Sequence, residues 1–281
     1  ANLDQFESLY DSVRDNPFLA QWVPGTAPLF RVLRAMALGP MGYPDQAVQE
    51  ISEAHAPLEK ETDPAALVNL WGWDCMARWL MRDVTGACRV GGSFGEAAGN
   101  LGPSGWLSCS KFSEGWCIAE QEENPEKGLS MMREAIEELD RFGWVVWRHQ
   151  LNSLMVDALL RSGRAEEGLS LMDWSLDRIE RTGERGWEAE VHRVRGEAIL
   201  ALPSPDRAGA EAAYRRAILV ARKQGTKLLE LRATVSLARL LRDQGRTKEA
   251  RKTLQKCYGW FTEGFDFPDL KDAQALLAQL G

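Results

Sequence analysis

A three-position pattern of small and apolar residues recurs along the chain. It consists of a small residue, an apolar residue four positions later, and a small or apolar residue three positions after that. Complete copies are Ala47/Ile51/Ala54, Gly128/Met132/Ala135, Gly168/Met172/Ser175, Ala210/Tyr214/Ala217 and Ala250/Leu254/Cys257, and a weaker copy begins at Ala87. The copies start at positions 47, 87, 128, 168, 210 and 250, so the interval is 40 to 42 residues.

This spacing predicts helices that pack in pairs. Positions i, i+4 and i+7 share one face of an α-helix, and small residues on that face let a neighbouring helix approach closely. Glycine- or proline-containing turns precede most copies, as at Gly42-Tyr43-Pro44-Asp45 and Ser162-Gly163-Arg164. We expect helix pairs at 27–38 and 45–60, 64–81 and 83–98, 104–120 and 125–141, 144–161 and 165–181, 185–201 and 207–224, and 226–243 and 247–260.

The predicted fold is therefore all-α, a right-handed α-solenoid of about six tetratricopeptide-like helical hairpins with a C-terminal capping helix. We divide the chain into an N-terminal helix and irregular lead-in at 1–26, the repeat array at 27–266, and the capping helix at 267–281. The capping helix is amphipathic and would cover the exposed apolar face of the last hairpin. Segment 85–105 is the least regular, because its many glycines have low helix propensity.

Tryptophan follows glycine where several hairpins begin, at Gly105-Trp106, Gly143-Trp144 and Gly186-Trp187. The glycine is expected to end the preceding helix in a left-handed conformation. The tryptophan is then interpreted as an anchor between neighbouring hairpins. A platform on which sugars or bases stack is the alternative function for these rings.

Charge and cysteine content narrow the class of protein. The 281 residues carry a formal net charge of −7, which disfavours nucleic acid as a partner. A basic run from Arg215 to Lys227 is interpreted as an exposed helix face balanced by acidic residues. The five cysteines are odd in number and form no CxxC pair, so we expect reduced, buried thiols and a cytoplasmic protein.

Targeting signals are not apparent in the sequence. It has no run of 18 apolar residues and no signal-peptide pattern, so we expect no membrane partner. The sequence begins at Ala1 without methionine, and we expect it to be a segment of a longer chain.

The sequence contains no constellation of residues that supports catalysis, and we expect no enzyme activity, no cofactor and no metal. The P-loop motif GxxxxGK[ST] is absent, and Gly91-Gly92-Ser93 lacks the lysine that such a loop requires. Glu188 and His192 share a helix face and could support metal binding or acid–base chemistry. An ordinary hydrogen bond at the surface or between helices is the simpler interpretation of this pair.

Several segments resemble a known family. They are Met41-Gly42-Tyr43-Pro44-Asp45-Gln46-Ala47, the stretch from Arg181 to Arg193, the stretch from Ala210 to Gln224, Leu229-Glu230-Leu231-Arg232-Ala233, Asp243-Gln244-Gly245-Arg246 and Tyr258-Gly259-Trp260-Phe261-Thr262-Glu263-Gly264-Phe265-Asp266. Together they resemble the C-terminal tetratricopeptide-like region of bacterial adenylate/guanylate cyclase–ATPase–TPR proteins, a STAND-type regulatory family. The resemblance spans roughly 40–281 and is densest over 181–270. It implies a regulatory interaction module whose partner is a protein or peptide, with the upstream domains of the same parent chain as one candidate.

The first helix of each hairpin should line the concave side of such a stack. Counting back from the small-residue marker gives the candidate groove residues Asn69, Trp73, Met76, Ser110, Ser113, Cys117, Gln150, Ser153, Asp157, Glu190, Arg193, Glu197, Arg232 and Arg239. They form either a peptide groove, apolar at one end and charged at the other, or an idle solvated surface. The alternative function is a small-molecule sensor with an inter-repeat pocket lined by Trp71, Trp73, Trp79 and Trp116. An open charged groove would favour the first function, and a compact cavity above roughly 300 Å³ would favour the second.

Overall fold

The computed structural model describes residues 26–56, 63–121, 125–145 and 147–281. Within these ranges the regular secondary structure is α-helical throughout. The helices are α1 (Thr26–Met41), α2 (Pro44–His55), α3 (Pro64–Met81), α4 (Val84–Asn100), α5 (Gly105–Gln121), α6 (Glu126–Arg141), α7 (Arg148–Arg161), α8 (Ala165–Thr182), α9 (Glu188–Ala201), α10 (Arg207–Gln224), α11 (Lys227–Asp243), α12 (Thr247–Tyr258) and α13 (Pro268–Gln279). They form six consecutive hairpins and a final helix, which confirms the predicted fold class. The N-terminal helix predicted within 1–26 lies outside the described residues.

The repeated small-residue pattern forms the seam of the hairpins. Each complete copy lies on the second helix of a pair, and all of its members are buried. A β-carbon on Gly128 would lie 2.6 Å from the backbone nitrogen of Ala119, so α5 and α6 approach backbone to backbone. Aspartate side chains cap the N-termini of α3, α4 and α10. Asp63, Asp83 and Asp206 accept hydrogen bonds from backbone amides in the first turn of these helices.

Helix α4 forms despite its glycine content. It places Ala87, Val90, Phe94 and Ala98 in the core, and this apolar face compensates for low intrinsic propensity. The segment that looked least regular in sequence is therefore an ordinary second helix of a hairpin.

The tryptophans at the hairpin starts pack against one another. The ring centroid of Trp106 lies 5.0 Å from that of Trp144 and 5.7 Å from that of Trp73, both edge to face. Trp187 is buried. These contacts fit the anchor interpretation. Of the three predicted glycine caps, Gly143 has a positive φ. The left-handed glycines before Trp106 and Trp187 are instead Gly102 and Gly183, so the predictions for Gly105 and Gly186 are wrong.

The two ends of the array meet. The backbone nitrogen of Gly264 donates to Oδ2 of Asp45 at 2.8 Å, and Gln46 donates to Glu263 at 2.7 Å. The Tyr43 ring lies 5.6 Å from that of Trp260. The first hairpin thus contacts the segment between α12 and α13, and the solenoid closes on itself.

Candidate ligand site in the interior of the closed solenoid

Much of the predicted groove is buried between helices. Met76, Ser110, Ser113, Cys117, Gln150, Ser153, Glu190, Arg193 and Arg232 are all buried, whereas Arg239 is exposed and forms an ion pair with Asp272. An open groove would require these side chains to face solvent. Their part in binding a partner stays a prediction, and in this structure they line the interior between helices.

Residues predicted from the second and third hairpins mostly bond within the protein. Ser113 lies 2.8 Å from the sulfur of Cys75, and Ser110 donates to the carbonyl oxygen of Leu107 at 2.8 Å. Asn69 donates to its own helix at the carbonyl of Ala65, and Trp73 joins the tryptophan cluster. This end of the predicted groove is occupied by side-chain packing.

Cysteine pairing corrects one expectation. Cys117 forms a disulfide with Cys88, with their Cα atoms 5.7 Å apart, whereas reduced thiols were expected. The two residues are 29 positions apart on α4 and α5, so the absence of a short CxxC spacing gave no hint of the pair. Cytoplasmic localisation stays a prediction.

Four charged members of the predicted set lie in an interior ion cluster, defined as Arg82, Asp157, Glu190, Arg193, Arg232 and Asp269. Glu197, a fifth, borders this cluster, with its Oε1 3.4 Å from Nη1 of Arg193. Arg193 donates to Glu190 at 2.8 and 3.0 Å, and Arg82 pairs with Asp157. Arg232 donates to Asp269 at 2.8 Å and to the carbonyl oxygen of Leu80 at 3.0 Å. Helices far apart in sequence are thereby joined across the interior.

Electrostatics within this cluster keep Glu190 ionised. Burial alone raises the pKa of a carboxyl group, but Arg193, Arg232 and Arg82 outweigh it and hold the pKa of Glu190 at about 2. Arg82, missing from the sequence prediction, adopts a left-handed conformation with φ of 55° at the end of α3. That turn conformation was not readable from the residue type, because left-handed residues are usually glycine or asparagine.

A cavity of about 550 Å³, here called the central cavity, lies beside the predicted residue Gln150. Its walls come from α1, the end of α3, the start of α7, the segment before α9, and the residue that precedes α11. They comprise Met36, Ala37, Pro40, Met41, Leu80, Trp147, His149, Gln150, Glu184, Gly186, Trp187 and Thr226. The volume falls within the range of about 300–1,000 Å³ that is common for ligand pockets.

Buried polar groups in the wall of the central cavity lack partners. Gln150 is 1 % exposed, and neither Nε2 nor Oε1 of its amide has a hydrogen-bond partner among the described residues. The same holds, within those ranges, for both ring nitrogens of His149 and for Nε1 of Trp187. Buried polar atoms are nearly always hydrogen-bonded in native proteins, so this wall is suited to a polar ligand group.

Two neighbouring features shape the mouth of the central cavity. Trp147 has a φ of 67°, which is unusual for a non-glycine residue, and its backbone nitrogen donates to Oε1 of Glu184 at 3.3 Å. Oε2 of Glu184 lies 3.8 Å from Nε2 of His149. Burial lowers the pKa of His149, although Glu184 acts in the opposite direction, so the imidazole is neutral at pH 7.

The central cavity is not lined by the tryptophans that the sequence predicted for an inter-repeat pocket. Trp79 and Trp116 are buried in the core, where Trp79 packs against Phe112 at 5.5 Å, and Trp71 lies 4.3 Å from the His55 ring. Trp147 and Trp187 line the cavity instead. The Gly186-Trp187 pair drew attention to Trp187 in the sequence, but no feature of the sequence indicated that Trp187 and α1 line the same cavity.

The alternative chemistry considered for His192 finds little support in the geometry. Its Nε2 lies 3.8 Å from Oε1 of Glu188, and that carboxylate also pairs with Arg185 and Arg216. Across the described residues, no group of three or more His, Cys, Asp or Glu side chains is arranged to hold a metal ion. The same part of the chain has no helix long and apolar enough to cross a membrane.

Comparison with known proteins gives a structural match only. No protein-family model and no curated protein sequence matches the chain. A Rap protein complexed with competence and sporulation factor superimposes with a TM-score of 0.70 at 12% identity, over 99% of this chain and 74% of that one. NprR in complex with its cognate peptide NprX gives 0.67 at 12% identity, over 99% and 78%.

The fold is a tetratricopeptide-like α-solenoid. The likeness extends over nearly the whole chain and is not limited to a single hairpin. At this level of identity it establishes the architecture of the solenoid, and its function has to be argued from the interior itself.

Proposed function

We propose that this tetratricopeptide-like solenoid is a regulatory protein- or peptide-interaction module. The observation that carries the proposal is the central cavity, which opens among the first helices of several hairpins and contains buried polar groups without partners. Two similarly folded solenoids have been seen with peptide or factor bound, which supports the same class of ligand here.

The division of the interior into two parts also supports a peptide ligand. The central cavity offers apolar walls with a few polar atoms, and the interior ion cluster offers charges on neighbouring helices. Peptide-binding surfaces combine apolar anchors with charged groups that set orientation in this way.

Selection from a random peptide library tests the proposal directly. We expect enriched peptides that bind the purified chain, raise its melting temperature and are displaced by the same peptide in soluble form. The heat-unfolded chain on the same matrix is the control. If no sequence is enriched over that control, the proposal is wrong.

A second candidate is a small-molecule sensor, since the central cavity exceeds the roughly 300 Å³ that such a site needs. A metabolite that stabilises the chain without any peptide would favour this function. The peptide-interaction module and the small-molecule sensor differ in whether the ligand must contain a peptide group in order to bind.

The resemblance to cyclase–ATPase–TPR proteins supports a further part of the proposal, in which the module regulates a larger signalling protein. The densest part of that resemblance, 181–270, covers α9 to α12 and the segment that contacts the first hairpin. Addition of the isolated module to a chain carrying upstream ATPase domains should change the ATPase rate. An unchanged rate at saturating module would contradict docking onto those domains.

A further inference from the structure

The wall of the central cavity combines a large apolar surface with one neutral amide. Met36, Leu80 and Trp187 supply apolar area from three different hairpins, and Gln150 supplies a carboxamide that is almost entirely buried. A carboxamide presents a donor and an acceptor side by side. The C=O and N–H of a peptide backbone are the matching pair.

Charged ligands fit this wall less well than neutral ones. An anionic group would approach the carboxylate of Glu184 at the rim, with no cation among the cavity-lining residues to neutralise it. A buried ammonium would face apolar walls beside a neutral imidazole, and burial of an uncompensated charge is strongly unfavourable. The chemistry therefore favours an apolar group attached to a neutral amide.

We propose that the central cavity receives one large apolar side chain of a bound peptide, and that Gln150 hydrogen-bonds the peptide group next to it. This assignment rests on the proposed peptide-binding function and specifies its anchoring site. The walls come from both the first hairpin and the middle of the array. The bound side chain would therefore contact both of these parts of the solenoid.

Small probes of defined chemistry test the assignment. N-acetyl-tryptophanamide, N-acetyl-phenylalaninamide and N-acetyl-leucinamide carry an apolar side chain between two amides, and 3-methylindole carries the apolar group alone. Titration followed by NMR or calorimetry should show that at least one amide binds tightly enough to saturate the protein, and at least tenfold more tightly than 3-methylindole.

The variant Gln150→Leu distinguishes an effect on probe affinity from an effect on the stability of the fold. It keeps the volume of the side chain but removes the amide, so we expect a loss of at least tenfold in affinity for the acetyl amides and no loss for 3-methylindole. The melting temperature of the unliganded protein should rise, because a buried group without a partner is removed. Ala37→Trp, which fills the cavity from α1, should weaken binding of every probe.

Asn152→Ala is the matched control. Asn152 is buried on the same helix but donates to Ser175 at 3.2 Å on the α8 side. We expect a lower melting temperature with unchanged affinity for the probes.

Three results would overturn the assignment: no acetyl amide binds, Gln150→Leu binds them as the unchanged protein does, or 3-methylindole binds as tightly as its amide counterpart. A library-selected peptide that binds the unchanged protein and both cavity variants equally would keep the peptide-binding function and reject this site. Failure to select any peptide would reject the function itself.

Discussion

Charged side chains in the interior are paired both within one helix and between helices. Glu190 is 3% exposed, yet Arg193 and its neighbours keep it ionised. Buried pairs of this kind contribute modestly when intact, but loss of one partner leaves an uncompensated charge. The interior ion cluster therefore makes closure sensitive to single substitutions and to acid.

Acid should destabilise the protein through Glu190. Its folded pKa of about 2 lies below the ordinary glutamate value of about 4.3, so its contribution is complete above the ordinary value and disappears as pH falls toward 2. Glu190→Gln should lower the free energy of unfolding near neutral pH by about 3 kcal/mol. It should also make the acid limb, the fall of the free energy of unfolding with decreasing pH, less steep. Urea unfolding as a function of pH measures both effects.

Asp266→Asn is a suitable comparison, because the Asp266 side chain is 99% exposed. It should leave the acid limb unchanged. An acid limb in Glu190→Gln as steep as that of the unchanged protein would show that the cluster does not depend on this carboxylate.

Glycine has opposite effects at two helical positions. Gly128 faces the backbone of α5 at close range, so Gly128→Ala should lower the free energy of unfolding by roughly 1–3 kcal/mol through overpacking. Gly92 lies in α4, and no neighbouring atom lies within 4 Å of the position that a β-carbon would occupy, so Gly92→Ala should stabilise by about 0.5–1 kcal/mol. Thermal unfolding of the two variants should shift in opposite directions, and a shift of the same sign would contradict this account.

At the scale of elements, each helix is stabilised by the helices beside it. The last one, α13, buries Leu270, Ala273 and Leu276 against α11 and α12. It also supplies Asp269, which pairs with Arg232 in the interior ion cluster. The predicted capping helix thus covers an apolar face and adds one charge to the interior.

Adjacent leucines in α13 should differ in their contribution to stability. Leu276 is 3% exposed and Leu277 is only half-buried. Leu276→Ala should lower the free energy of unfolding by roughly 2–5 kcal/mol, and Leu277→Ala by under about 1 kcal/mol. Chemical unfolding of the pair measures the difference, and equal losses would mean that α13 does not cap the array as described.

The whole molecule is a closed solenoid, and Trp260 lies at the junction where its two ends meet. Trp260 packs against Tyr43 and Gly42 of the first hairpin and lies 5.5 Å from the Lys227 ammonium. Because the central cavity has walls on both sides of this junction, closure and ligand binding should be coupled. A ligand that prefers the closed form shifts the population toward it.

Trp260→Ala should open the array. We expect a larger radius of gyration in small-angle X-ray scattering and weaker binding of the acetyl-amide probes, although Trp260 does not line the central cavity. Leu219→Ala is the control, since Leu219 is an exposed apolar side chain on α10 that is not among the residues lining the central cavity. Equal dimensions in both variants would contradict closure through this contact.

Local features of the sequence determined the hairpins. The small-apolar-small pattern, the turns and the aspartate caps act over fewer than about ten residues, so they report helix boundaries and packing faces without knowledge of the rest of the chain. Even the glycine-rich α4 followed the forty-residue interval. The candidate groove list contains Gln150, Asp157, Glu190, Arg193 and Arg232, which lie on first helices and are buried or half-buried in the structure. Their part in binding a partner stays a prediction.

Only the tertiary structure decided what those inward residues contact. Closure depends on the small rotation between successive hairpins, which accumulates along the array and is not encoded at any one position. Arg232 therefore meets Leu80 across 152 residues, and Gly264 meets Asp45 across 219. The interior ion cluster and the central cavity depend on such non-local contacts, whereas the Cys88–Cys117 disulfide depends on how α4 packs against the next helix, α5.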